Sequence, residues 1–448
     1  MVVLANPQTP EEWLHFLERK LADRAIQVEQ FEKYYQGDHP LAFASSKYRE
    51  AFGNLLTEFA DNWCRRVVDT PVQRLSVTGF GGDASAAERA WSIWNANDME
   101  TQAAWAHTEA VKHGVAYATV DPFGETPRID IDHPLQTIVH HSPENRRVRQ
   151  AALKKWRGTD GFVYANVYFA DSVFKFKSSS RQAIHHVGTI AWQRIESLGN
   201  PLGVVPIVPI ENNLSLLHGG TSDLIDVIPL NDLLNKLMND LTVASEFQAY
   251  RQRVITGVEI PKDPETGELL ATVELKAAIS RFLTFESPDV KVSELGQLDL
   301  QVYTNAVETV VNHIAALTAI PPHYLMGKVV NASGDALTVA ETGLVFKVKS
   351  KQRDFGSAWS EVLRLCFLAS GEADNASHIG RPIWANPEQR QLSQLADAIS
   401  KLDGILPVEE IYALWGGTPE EIKKWVLQRG LPPRDVLPDA AADPALAA

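Results

Sequence analysis

Cysteine is almost absent from the 448 residues: the chain has two, Cys64 and Cys366, far apart. Each sits inside an apolar helical pattern, which excludes a disulfide framework or a thiolate zinc site and leaves two buried thiols. No window approaches the roughly 18 consecutive apolar residues that a membrane span requires. The opening stretch, Met1-Val-Val-Leu-Ala-Asn-Pro7, has no basic segment leading into an apolar run, so no signal peptide is expected. Positive charge is also short: 42 Lys and Arg face 56 Asp and Glu, a formal net charge of −14. That balance excludes a protein that coats nucleic acid through a basic surface. No G-x-x-x-x-G-K-[ST] loop exists, since Gly327-Lys328 lacks both the upstream glycine and the following hydroxyl. The G-x-S-x-G and H-E-x-x-H signatures are missing too. What remains is globular: 45% apolar and 22% charged, enough chain for two to four structural units. The expectation is a large, soluble, intracellular protein.

The scarce cations are concentrated. Between Asn145 and Arg194 stand Arg146, Arg147, Arg149, Lys154, Lys155, Arg157, Lys175, Lys177, Arg181 and Arg194, opposed by Asp160 and Asp171. The segment nets +8, which leaves −22 for the remainder. Such asymmetry suits either a solvated sheet face or a surface for a polyanion or an acidic partner.

Periodicity divides the chain into blocks. Thr9-Pro10-Glu11-Glu12 combines a capping Thr, Pro at the first helical position and Glu three residues after the cap. Leu14, Leu17, Leu21, Val28, Phe31 and Tyr35 follow at helical spacing up to Gly37. Further helices are expected from Ser46 to Val68 and from Ala86 to His113, the latter carrying Trp91, Trp94 and Trp105 toward a core. From Val115 to Ile210 the period drops to two. Short runs at 115–120, 128–131, 136–140, 162–169, 173–176 and 189–194 predict an antiparallel meander. Pro206 and Pro209 forbid a central strand nearby and suggest an extended connector.

Helical spacing then returns. Ser222-Asp223 can cap a helix running to Tyr250, with a break at Pro229. A mixed insertion follows, with strands at 254–260 and 290–295. Residues 303–317 read as a helix stopped by Pro321-Pro322. A polar loop spans 327–335, and a long helix with a Phe355, Trp359, Val362, Cys366 stripe runs from Ala336 to Ser370. Gly343 and Gly356 are expected to bend it. Asn386-Pro387 and Thr418-Pro419 repeat the opening cap, heading helices at 387–403 and 419–428, with another at 408–414. Residues 431–448 are Pro-, Ala- and Asp-rich, a composition of disorder. The fold class is α+β, mainly α.

Candidate chemistry is thin. Asp130, Asp132, His133, His140 and His141, joined by His185 and His186, form the densest set of possible metal ligands, as a two-metal nuclease would need. The plainer reading is polar residues on the wet face of a half-buried sheet. No active site, metal site or cofactor is implied.

The order of parts resembles the portal proteins of tailed double-stranded DNA bacteriophages, with local landmarks similar to those of actinobacterial long-tailed phages. These are Tyr34-Tyr35-Gln-Gly-Asp-His-Pro40, Asn62-Trp63-Cys-Arg-Arg-Val-Val-Asp69, Asn200-Pro-Leu-Gly-Val-Val-Pro-Ile-Val-Pro209, Asn231-Asp-Leu-Leu-Asn-Lys236, Ile320-Pro-Pro-His-Tyr-Leu-Met-Gly327 and Asn331-Ala-Ser-Gly334. The resemblance covers about residues 10–430. It implies a homo-oligomeric ring, normally of twelve subunits, at one capsid vertex of the virion, made in the host bacterial cytoplasm. Double-stranded DNA passes through it in packaging and ejection, and a separate terminase supplies the work. It further implies a wing (1–221 and 336–385), stem helices (222–250 and 301–319), a clip (251–300), a tunnel-loop region (320–335) and a helical crown (386–430). The tunnel loop would present Lys328, Asn331, Ser333, Gly334 and Asp335. The clip, with Arg251, Arg253, Lys262, Lys276, Arg281 and Lys291 against nine acids, would meet the large terminase and then the head–tail adaptor. The basic wing face, Arg146, Arg147, Arg149, Lys154, Lys155 and Arg157, would turn to capsid or genome. The major capsid protein and a scaffolding protein are the other implied partners. A ring-forming scaffold or tail protein of a virion fits the same absences, and a metal-dependent nuclease is the enzymatic alternative.

Overall fold

A computed structural model describes residues 7–38, 61–122, 126–183, 190–217, 219–249, 253–256, 291–294, 299–327, 334–388, 392–402, 405–417 and 419–430. The chain divides into two compact units. One contains residues 1–40, 60–231 and 312–448, the other 41–59 and 232–311.

Helix α1 (Pro10–Gln36) begins as its sequence dictates. Thr9 accepts from the Glu12 N–H, Glu12 reaches back to the Thr9 N–H, and Gly37 closes the helix in the left-handed region. Helix α2 (Trp63–Val72) is capped by Asn62, whose Oδ1 accepts from the Arg65 N–H, and it runs past the expected end at Val68. Strand β1 (Val77–Gly82) follows. The single helix expected over 86–113 is two: α3 (Ala84–Ala96) and α4 (Met99–His113). The chain breaks at Asp98, which adopts φ +50°, while Asn97 takes the Ile129 N–H and donates to the Pro127 carbonyl. Trp94 is buried as expected, but Trp105 is 62% exposed and faces away from the core.

Eight strands come next: β2 (Val115–Asp121), β3 (Arg128–Asp132), β4 (Thr137–His141), β5 (Arg149–Arg157), β6 (Phe162–Tyr168), β7 (Ser172–Arg181), β8 (Trp192–Gly199) and β9 (Ile207–Glu211). They form an antiparallel five-stranded sheet, β4-β5-β6-β7-β8, and a three-stranded sheet, β3-β2-β9. Sequence periodicity misses β5, because Ala-Ala-Leu-Lys-Lys-Trp lacks apolar–polar alternation. The structure gives the reason. Ala151 and Leu153 face one way and pack with Trp13, Leu14, Leu17 and Leu21 of α1, while Ala152 faces the other way and packs with Tyr117, Val205 and Ile207. A strand covered on both faces has no polar side to alternate with. The expected connector at 202–210 contains β9. Pro209 pairs opposite Tyr117 on an edge strand, where its missing N–H breaks no ladder.

Ser222 and Asp223 do not cap a helix. Ser222 Oγ donates to the Lys112 carbonyl and accepts from the Leu224 N–H, while Asp223 enters a buried ion pair with Lys347 and Lys351. Helix α5 (Ile228–Ala249) starts later, with Pro229 in its first turn where no N–H is needed. Strands β10 (Arg253–Thr256) and β11 (Lys291–Glu294) pair antiparallel, and α6 (Gln301–Thr318) follows.

After the short α7 (Pro322–Met326), the long α8 (Gly334–Ala369) runs through the core of its unit. Leu344, Val348, Phe355, Trp359, Val362 and Cys366 are fully buried. Gly356 is a point of close approach: a Cβ there would lie 3.4 Å from the Trp384 indole nitrogen and 3.6 Å from Pro382. Those residues belong to β12 (Ile379–Trp384), which follows α9 (Ala373–His378) and pairs with β1. Helices α10 (Leu392–Leu402), α11 (Val408–Trp415) and α12 (Pro419–Gly430) complete the described chain. The first starts later than Pro387, because Asn386 Oδ1 accepts from the Glu388 N–H in a local turn. The tail at 431–448 lies outside the described residues.

Candidate functional site

Three surfaces carry the residues singled out by sequence. The loop region comes first. Lys328, Asn331 and Ser333 lie outside the described residues, whereas Gly334 and Asp335 open helix α8 and so belong to its first turn, not to the loop. What is described is the two segments that flank residues 328–333. Gly327 closes α7 at φ +63°. Three residues before it, Tyr324 donates its hydroxyl proton to Glu341 Oε1 at 2.5 Å, two turns inside α8. Arg74 bridges the two, with Nη2 3.0 Å from the Tyr324 hydroxyl and Nη1 and Nη2 each 3.3 Å from Glu341 Oε2. Arg74 also donates to the Pro387 carbonyl at 3.0 Å. The Arg74 and Glu341 side chains are nearly enclosed, so the pair is screened little by water. Burial, then the Glu341 carboxylate, pushes the Tyr324 phenol above its ordinary range. Residues 325–340 are thus spanned by one polar clamp.

The second surface is the basic sheet. Most of its cations are already matched. Arg149 Nη2 is 2.6 Å from Glu361, Lys154 is 2.7 Å from Asp132, Lys155 is 3.2 Å from Glu18 and Lys175 is 2.8 Å from Glu196. Lys177 meets Asp160 at 3.1 Å, Arg194 meets Glu11 at 3.6 Å, and Arg146 lies 3.9 Å from Glu211. Six of those seven acids come from outside the basic segment, so the +8 excess is largely offset inside one subunit. Arg147 and Arg157 are exposed and make no ion pair among the described residues. The third surface, the insertion, is described at β10 and β11 only. The backbones of Arg253 and Glu294 are register partners, as are those of Thr256 and Lys291. Arg251, Lys262, Lys276 and Arg281 lie outside the described residues.

The Asp/His set does not converge. Asp130 pairs with Arg128. Asp132 accepts from Thr119 at 2.5 Å and pairs with Lys154, and burial raises its carboxyl pKa against the pull of Lys154. His140 lies 3.1 Å from Lys20 Nζ, and burial lowers its pKa to about 4. His185 and His186 are outside the described residues.

His133 turns instead toward a cluster that sequence reading misses. Glu32 of α1 and Glu109 and His113 of α4 place their ligand atoms within 4.8 Å of one another and of His133. The donor set suits a cation, but the geometry assigns that role to Lys112. Its ammonium lies 2.7 Å from Glu32 Oε2 and 2.8 Å from Glu109 Oε1. His133 Nδ1 accepts from the Leu135 N–H at 3.1 Å. A neutral His133 therefore carries its proton on Nε2 and points N–H, not a lone pair, at Glu109 3.1 Å away. The His113 hydrogen bond, acting against burial, lowers the Glu32 pKa to about 2. The cluster ties α1 to α4. Its signal in the sequence, Glu109-x-x-Lys112-His113, gives no hint that Glu32 is the partner.

Capped helices, antiparallel sheets, a long central helix and charge matched largely within the subunit are the frame in which the singled-out residues stand. The chain matches the family described as "Phage portal protein, SPP1 Gp6-like" over residues 14–429 and belongs to it. Proteins named portal protein from Mycobacterium phage D29 and Mycobacterium phage L5 are each 28% identical to it, over 390 and 389 residues, covering 81% of this chain and 77% of each relative. Among solved structures, a chain of the virion of a native gene transfer agent particle is 12% identical with a TM-score of 0.44, covering 79% of this chain and 90% of its own. A chain from the neck of an empty gene transfer agent particle is 14% identical with a TM-score of 0.43, covering 83% and 94%. The chain is thus a ring-forming portal component of a phage capsid, of the family expected from its landmarks. Among the described residues, no helix is long and apolar enough to cross a membrane.

Proposed function

We propose that this portal subunit assembles into a twelve-membered ring whose axis conducts double-stranded DNA without gripping it, and that it performs no catalysis of its own. The observation that carries this reading is the charge arrangement. A conduit for a polyanion that held free cations in register would retain phosphate and slow its passage. Here the cations are scarce, and seven of the ten in the dense group are matched by acids of the same subunit. The clamp of Arg74, Tyr324 and Glu341 supports a loop at 327–333 that contacts DNA through Lys328, Asn331 and Ser333 while its ends stay fixed.

In this reading residues 1–221 and 336–385 form the wing, 222–250 and 301–319 the stem, 251–300 the clip and 386–430 the crown. The clip meets the large terminase first and the head–tail adaptor later, while the major capsid protein and a scaffolding protein surround the wing. The basic sheet offers Arg147 and Arg157 for such a contact. The test is genome packaging with Lys328→Ala. The ring is expected to assemble normally while packaged DNA length or titre changes. Normal packaging and titre would count against the loop's role.

A further inference from the structure

Between β9 and Ser222 the chain makes a tight excursion whose tip is apolar. Leu216 and Leu217 are 93% and 88% exposed, and Leu214 is 54% exposed. The tip is nevertheless fixed. Ser215 and Gly219 exchange both backbone hydrogen bonds, at 2.9 and 3.1 Å. Arg146 donates from Nη1 to the carbonyls of Ser215 and Leu216, each at 2.9 Å, and its other nitrogen faces Glu211. At the base, the Thr221 N–H donates to the Asn212 carbonyl, and Asn212 is wholly buried. Ordering a segment before it meets a partner removes much of the entropic cost of binding. A turn hydrogen-bonded at Ser215, Leu216 and Gly219 that holds three leucines in water is arranged for contact.

A closed ring of identical copies dictates what kind of contact. Each interface in it is heterologous: one patch of a subunit meets a different patch of the next. The same compact unit offers such a second patch on helix α8. Val339 is 73% and Phe346 67% exposed, and at seven residues apart they share a face. Gly343 between them lets Ala319 pack closely, and Leu317, just before Ala319, is 62% exposed. We propose that the Leu214, Leu216 and Leu217 tip of one subunit seats on the Val339 and Phe346 face of a second copy of this chain. The proposal rests on the ring-forming reading of the family, and it adds the two surfaces that close the ring.

The experiment uses the full chain and two variants, Leu216→Asp with Leu217→Asp, and Val339→Asp with Phe346→Asp, weighed in solution. Wild type must form rings; a wild-type monomer would count against the ring reading itself, not against the tip. Each variant alone is expected at the monomer mass of 49.6 kDa. An equimolar mixture is expected to give a species of twice that mass and nothing larger. The intact tip of one variant and the intact face of the other can join once, and the second contact is then dead on both sides. That heterodimer also shows that both variants fold. The milder Leu216→Ser with Leu217→Ser should shift assembly in the same direction. The proposal is overturned if either charged variant still closes into rings. It is also overturned if the mixture stays monomeric with both far-UV circular dichroism spectra unchanged. Intact rings that fail only to enter capsids would assign the tip to another virion protein and overturn it as well.

Discussion

Lys351 and Asp223 meet 3.0 Å apart with both side chains almost fully enclosed. The contact joins the middle of a 36-residue helix to the segment that leaves the three-stranded sheet. Lys347, one turn earlier, reaches the other Asp223 oxygen at 2.7 Å, and Lys351 also donates to Asn212 at 2.5 Å. Burial alone would push the Asp223 carboxyl up, but the two ammonium groups outweigh it and hold it well below the ordinary carboxylate range. Removing the anion leaves the buried Lys351 and the half-buried Lys347 without their counter-charge, so Asp223→Ala should cost about 3–5 kcal/mol. Chemical denaturation of the isolated subunit checks this, and a double-mutant cycle with Lys351→Met should show strong coupling. Additive effects would place the stabilisation elsewhere.

His107 gives the subunit a predictable pH dependence. It is wholly buried, stacks on Phe355 with ring centroids 5.2 Å apart, and its Nε2 accepts from the Trp359 indole N–H at 2.9 Å. Burial lowers its pKa to about 3. The unfolded chain takes up the proton near pH 6.5 and the folded chain does not. Stability attributable to this residue is therefore complete above pH 6.5 and is lost as pH falls toward 3. Between pH 7 and 5 the loss is about 2 kcal/mol. His107→Gln should be less stable at pH 7 but flatter over that interval, as measured by urea midpoints. An unchanged slope would contradict the assignment.

The β1–β12 pairing depends on missing side chains. Gly82 has φ +109°, and a Cβ there would lie 2.2 Å from the His378 carbonyl oxygen. Gly371 also has positive φ, at +73°, but nothing lies within 4 Å. Alanine at both positions incurs the left-handed strain of about 1–2 kcal/mol, while only Gly82→Ala adds a backbone clash. Thermal unfolding should rank Gly82→Ala well below Gly371→Ala. Equal melting temperatures would argue against the tight approach.

Much of this fold is legible from local rules, and the failures are informative. Thr9-Pro10-Glu11-Glu12 announces its helix because a cap is a matter of four residues. Strand β5 hides because burial on both faces removes the alternation that marks a strand. Asp223 reads as a helix cap because the cations it pairs with, Lys347 and Lys351, are more than a hundred residues away, and no local pattern reports an ion pair of that span. The same distance hides the Arg74, Tyr324 and Glu341 clamp. The +8 segment misleads for a related reason: composition counts cations but does not show the acids that fold back onto them.

The clamp makes a separable prediction. Tyr324→Phe removes the hydroxyl shared by Arg74 and Glu341 and should cost about 1–2 kcal/mol, with ring assembly retained. Glu341→Gln leaves Arg74 without its counter-charge and should cost more. If the clamp sets the loop's position, both variants alter the amount of DNA packaged per particle. Wild-type packaging with lowered stability would confine the clamp to folding.

The proposed conduit requires that this subunit build a ring with an open axis. Cryo-electron microscopy of the purified full chain, paired with its solution mass, tests it most directly. The expected result is a closed ring of about twelve copies of 49.6 kDa around a hole wide enough for a DNA duplex, about 20 Å. A monomer at assembly concentrations, or a closed ring without a central opening, would contradict it.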